Sequence, residues 1–373
     1  MRASNRALTP GSLAAIPGPG NPFLGSISSV SLLQRLTTGE TIFHEKEHDM
    51  KFPITCYALA ALVAWGTSTA QASSDGPTAL PGRPVKVAAV AIGFGGDHDQ
   101  KLKLALEHLE VAGQNHVDIV CLPEEFSGTT AEPVPGPTTE AVGSVAARYH
   151  MYVVCPMREQ APDGRQYNTA VLLDRAGKVA GRYRKIYVFW GEGLNLGEAD
   201  VPVFDVDFGR IAVLTCFDAN YSEVWQQAER KGAELVFWPS AYGGGLVLNG
   251  YAMIHNFPIV AVGQGNIIDI TGQTIENVEK PREHQFITTL DLDRTLIHTD
   301  FNGEKVKKLL RERADEVQQE RFFSSEAWYL LRATKPGVRV RDLCKEYQIE
   351  TLRDYRHRSR EQINEARKQG KKI

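Results

Sequence analysis

Three stretches of the chain each end an apolar run in a residue able to do covalent or proton-transfer chemistry. The run VDIVCL (117–122) stops at Pro123-Glu124-Glu125-Phe126, the segment 179–183 stops at Arg184-Lys185, and IAVLT (211–215) stops at Cys216-Phe217-Asp218. Taken singly, a carboxylate after a strand caps or solvates, a lysine in Tyr-Arg-Lys lies on a surface, and a strand-end cysteine packs as a small hydrophobe. In α/β proteins, however, clefts form where strands end and loops begin. A carboxylate, an ammonium and a thiol brought to one rim would supply a proton acceptor, an electrostatic stabiliser and a nucleophile. Cys121 and Cys155 compete for the nucleophile role, but both sit inside apolar runs and read as packed in a sheet.

The elements that must position these groups alternate from residue 84 onward. Residues 85–92 read as a buried strand, and Leu102, Ala105, Leu106, Leu109 and Ala112 recur at helical spacing behind a possible cap at Asp99. Further strands are expected at 117–122, 151–156, 167–174, 179–183, 203–206, 211–216, 234–238, 257–262, 267–270 and 286–290. Helices are expected at 138–149, 222–231 and 249–255, and one over 304–320. Units of βα type mixed with hairpins predict two mixed sheets with helices outside, an α/β fold.

Composition narrows the function classes. The 373 residues are 42% hydrophobic and 23% charged, and 42 Lys plus Arg against 45 Asp plus Glu leave a net charge of -3. That balance offers no electrostatic footprint for nucleic acid. Scattered histidines and cysteines without a CxxC or HExxH pair argue against a metal site, and no cofactor is expected. No apolar run reaches the roughly 18–20 residues of a membrane span.

Residues 1–49 are rich in Ser, Gly, Pro and Thr and read as a leader outside the fold or an over-extended start. Met50-Lys51, the apolar run 54–65 and the small-residue site Ala70-Gln71-Ala72 follow in the order of a secretory signal over 50–72. Export with cleavage near Ala72 is therefore expected. Residues 84–301 form the expected main domain and 302–373 a helical extension with a basic end, read as a solvated helix or a docking arm.

The blocks LPEEF (122–126), YRKIYVFWGEG (183–193) and LTCFDANYSE (214–223) resemble the three motif blocks of the nitrilase, or carbon–nitrogen hydrolase, superfamily. YNTAVLLDRAGKVAGRYRK (167–185) and GAELVFWPSAY (232–242) extend the likeness over roughly residues 85–293. The resemblance implies a four-layer α-β-β-α sandwich that pairs into a homodimer or larger oligomer. It implies Glu124 as general base, Lys185 as transition-state stabiliser and Cys216 as nucleophile, with Glu192 where many members carry a second glutamate.

On that assignment, Lys185 and the helix start after Cys216 would favour the thiolate. The backbone N–H of Phe217 would join Lys185 in holding an oxyanion. Departures stand at Tyr251-Ala252-Met253-Ile254-His255-Asn256 and at Asn220-Tyr221-Ser222-Glu223. Cys216-Phe217-Asp218 is closer to the amidase and carbamoylase pattern than to the Cys-Trp-Glu of nitrilases. The expected substrate is a small amide or ureido compound, with a nitrile as the enzymatic alternative and a non-catalytic binding protein on the same fold as the other class.

Overall fold

The computed structural model describes residues 79–93 and 97–372. The leader and signal-peptide expectations for 1–49 and 50–72 lie outside them. Among the described residues, no helix is long and apolar enough to cross a membrane.

Two sheets carry the site. The first has seven strands: β1 (Pro84–Val90), β2 (Ile119–Cys121), β3 (Tyr152–Gln160), β4 (Gln166–Leu173), β5 (Val179–Arg184), β11 (Glu279–Arg282) and β12 (Gln285–Asp291), in the order β11-β12-β1-β2-β3-β4-β5. Its β1, β2 and β3 run parallel, and the outer pairs are antiparallel. The second has five: β6 (Val203–Val206), β7 (Gly209–Val213), β8 (Leu235–Trp238), β9 (Ile259–Ala261) and β10 (Asn266–Ile268), in the order β10-β9-β8-β7-β6.

Side chains alternate across a strand, so each face of the first sheet joins a different core. Val87, Ala89, Ile119, Cys121, Val154 and Leu172 pack in one cluster with Val213, Phe237 and Val260 of the second sheet. Ala88, Val90, Val120, Val153, Cys155 and Val171 pack instead with helices α1 (His98–Gln114) and α2 (Pro137–Tyr149), through Leu109, Ala112, Val142 and Ala146. Helices α3 (Ser222–Arg230) and α4 (Leu246–His255) add Trp225, Ala228, Leu248 and Ala252 to the inter-sheet cluster. The expected mixed α/β architecture of sheets and helices is found. The cap of α1 is Asp97, whose carboxylate accepts from Gln100 N, and not Asp99.

The C-terminal region differs from the helical extension expected over 302–373. Helices α5 (Gly303–Glu312), α6 (Val340–Glu346) and α7 (Leu352–Gln369) are present, but a hairpin of β14 (Val317–Phe323) and β15 (Trp328–Ala333) lies between them. The expected helix over 304–320 therefore stops at Glu312. Val317 is buried, Gln318 to Phe323 are half-buried or exposed, and the segment pairs antiparallel with β15 from Val317 opposite Ala333 to Phe323 opposite Trp328. Strand β13 (Thr295–His298), not among the expected strands although it falls within the 84–301 span, pairs with β15 in a third sheet. The site-bearing sheets thus end at Asp291, and a separate cluster around Ile297, Leu309, Leu331 and Val340 fills the C-terminal region.

Candidate active site

Glu124 follows β2, Lys185 follows β5, and Cys216 opens a one-turn 3-10 helix, Cys216–Asn220, after β7. The first two leave the seven-stranded sheet and the third leaves the five-stranded one. The two sheets share one core cluster, and Cys216 lies within electrostatic reach of Glu124 and Lys185. Lys185 Nζ donates to Glu124 Oε1 at 2.8 Å and to Glu192 Oε1 at 2.7 Å. All four residues are at least partly buried, Lys185 and Glu124 almost completely.

Cys216 holds a left-handed backbone (φ 46°), uncommon for a non-glycine residue and costing about 1–3 kcal/mol. That turn is held by its N–H donating to Pro239 O at 3.0 Å and by Trp238 Nε1 donating to Cys216 O at 3.2 Å. Phe217 N, in the first turn of the 3-10 helix, has no acceptor among the described residues. Such orphan donors at a helix start are free for a ligand.

The expected pull of Lys185 toward the thiolate is present, but other influences outweigh it. Burial, followed by the Glu124 charge, pushes the Cys216 thiol up to about 12, outweighing the opposite pull of Lys185, Ser240 and the Ala241 N–H. Lys185 lies the other way. Burial opposes its charge, but the Glu124 charge and the hydrogen bonds to Glu124 and Glu192 hold it above the usual lysine range. The ammonium is therefore permanent at neutral pH.

Further residues build the site. Asn168 on β4 donates through Nδ2 to Glu124 Oε1 at 2.8 Å, and its carbonyl accepts from Lys185 N at 2.8 Å, so one residue sets both carboxylate and lysine. Ala241 N donates to Glu124 Oε2 at 2.9 Å. Buried polar groups require partners. A lone asparagine within the apolar run YNTAVLL was the signal available for Asn168. The Glu192 Oε2 and Asn168 Oδ1 acceptors are buried and without partners among the described residues. Around the mouth, Phe189 meets Phe217 edge-on at 5.4 Å, and Trp190 is 90% exposed. Cys121 and Cys155, buried in the sheet, have thiols pushed above the usual range by burial. All four cysteines of the described residues are free and buried.

Two packed mixed sheets carrying a thiol, an ammonium and two carboxylates at one rim define the class of protein. The chain belongs to the carbon–nitrogen hydrolase family, which it matches over residues 86–295. It is similar to a probable nitrilase of Schizosaccharomyces pombe, 27% identical over 179 residues that make up 42% of this chain and 66% of that protein. It is 34% identical over 166 residues to a β-ureidopropionase of Arabidopsis thaliana, covering 39% of this chain and 40% of that one. The matched stretch thus spans less than two thirds of either relative. A Saccharomyces cerevisiae member of branch 10 of the nitrilase superfamily superposes with a TM-score of 0.51 at 21% identity, over 60% of this chain and 95% of that one, which shows the fold.

Proposed function

We propose that this chain hydrolyses a linear amide or an N-carbamoyl amine through a thioester on Cys216. The observation that carries the reading is the Lys185 ammonium shared between Glu124 and Glu192 beside a buried thiol. With the thiol up to about 12, free thiolate is scarce at pH 7, so its proton passes to Glu124 as the sulfur attacks the carbonyl carbon. The oxyanion forms beside the Lys185 ammonium and the Phe217 N–H. Glu124 returns the proton to the departing nitrogen, and the C–N bond breaks. Water, deprotonated by Glu124, then attacks the thioester carbonyl. The C–S bond breaks, the acid leaves, and the sulfur regains its proton. The unpartnered Glu192 Oε2 is an acceptor for an N–H of the substrate.

Ammonia release from a panel of amides, ureido acids and nitriles, by wild type and Cys216→Ala, tests the reading. Hydrolysis of amides or ureido compounds lost in Cys216→Ala supports it. Nitriles as the only substrates would favour the nitrilase alternative, which the name of one relative suggests. No thiol-dependent turnover would favour a binding role. Export and a homodimeric or larger assembly remain part of the proposal. N-terminal sequencing of secreted protein, which should begin near Ser73, and light scattering test them.

A further inference from the structure

Lys185 and Cys216 are delivered by different sheets, so a small slide of one sheet over the other would part the cation from the sulfur. One buried carboxylate spans that joint. Asp218 Oδ2 accepts from Tyr183 OH at 2.6 Å and from Thr215 N at 2.7 Å, and Oδ1 accepts from Tyr187 N at 2.9 Å. Tyr183 and Tyr187 flank Lys185 by two residues on either side, and Thr215 directly precedes Cys216. Asp218 is wholly buried and belongs to the same turn as Cys216.

We infer that Asp218 is a positioning residue that pins the Lys185 segment to the Cys216 turn and so sets the spacing of cation and sulfur. The inference rests on the hydrolase reading for its catalytic consequence, though the clamp itself is geometric. An ionised carboxylate only accepts, and it has lone pairs for all three donors. A proton on it turns one oxygen into a donor and breaks part of the clamp. The groups facing it are Tyr183 from β5, Lys185 and Tyr187 from the following loop, and Thr215 from its own turn. Glu223, at the start of α3, stands one step away through the Tyr187 hydroxyl at 2.5 Å. Burial pushes the Asp218 carboxyl up to about 6 against the pull of those donors and of Lys185. The complete clamp is therefore a state of pH above about 6.

Asp218→Asn keeps the shape, but puts an N–H where one of the three donors needs an acceptor. Tyr183→Phe removes a single clamp bond and leaves the carboxylate. The measurements are kcat and KM from pH 5 to 9 on the substrate found by the panel, and the alkylation rate of Cys216 by iodoacetamide over the same range, mapped by peptide mass spectrometry. The expected result is a tenfold or greater loss of kcat in Asp218→Asn with KM within about twofold. The wild-type break near pH 6, in turnover and in alkylation, should vanish, and Tyr183→Phe should fall between. Wild-type kcat and an unchanged break in Asp218→Asn would overturn the inference. If Asp218→Asn does not fold, unaltered kcat in Tyr183→Phe would overturn it. Should Cys216→Ala hydrolyse as well as wild type, the hydrolase reading fails separately. The alkylation profile then still decides the clamp, because a break shared by wild type and Asp218→Asn refutes it.

Discussion

The Lys185 ammonium stands 2.8 Å from the Glu124 carboxylate although 61 residues separate them along the chain. Both are almost fully buried. A buried charge is tolerated only when paired and hydrogen-bonded, and each of these side chains supplies the other with that partner.

Replacing Lys185 with Met should abolish acylation. One oxyanion donor is worth about 3–4 kcal/mol of transition-state stabilisation, or roughly 10²–10³ in kcat. Intact-mass detection of the thioester during turnover checks this, with circular dichroism confirming the fold. Full turnover by the variant would refute the assignment.

Glu124→Gln should uncouple two properties of Cys216. The Glu124 charge is the largest influence after burial that raises the thiol, so removing it lowers the thiol's pKa. Alkylation by iodoacetamide at pH 8 should speed up while turnover is lost with the general base. Peptide mapping should show Cys216 labelled and Cys121 and Cys155 spared. Slower alkylation of Cys216 in the variant would contradict the electrostatic account.

Glu234 ties the C-terminal region to the main sheets, accepting from Arg83 Nη1 at 2.5 Å and from Arg341 Nη1 at 2.7 Å. Burial opposes its charge, but Arg83 and Arg341 outweigh burial and bring it down to about 2. A depressed carboxylate stabilises the fold above its ordinary range near 4.5 and loses that contribution as pH falls toward 2. Glu234→Gln should cost roughly 2 kcal/mol at pH 7, less than a fully buried pair because Arg341 is partly exposed. The difference from wild type should shrink between pH 4.5 and 2. Urea melts across that range test the sign.

Leu331→Ala on β15 removes a wholly buried side chain from the C-terminal cluster. About 2–5 kcal/mol of destabilisation is expected. Limited proteolysis should find new cuts within 303–373, while the Cys216 alkylation rate stays within about twofold. Equal protease resistance of the two proteins would mean that this cluster does not hold the region.

Much of the site was legible from single positions because strand ends are written locally. An apolar run that stops short of Glu124 or at Cys216 marks both a buried strand and a polar group at its rim, whereas the strand before Lys185 is buried only at Tyr183. The hairpin of β14 and β15 was not legible. Helical and strand periods overlap over a few residues, and Val317 is buried only once residues distant in the chain, such as Val306, Leu331 and Val340, pack into one cluster with it. Asn168 and Asp218 carry no local mark of their roles, one lying within a strand and the other in a short turn of helix. Their partners, Glu124 and Tyr183, are 44 and 35 residues away.

The order of residue types along the chain determined the alternating elements, the family likeness and the set of groups available for chemistry, since these depend on local pattern and side-chain identity. Only the tertiary structure decided that Lys185 is shared by two carboxylates, that burial and Glu124 raise the Cys216 thiol, and that Asp218 joins the two sheets. Those properties come from burial and from distances across the sheet pair, and both arise only when segments remote in the chain pack together.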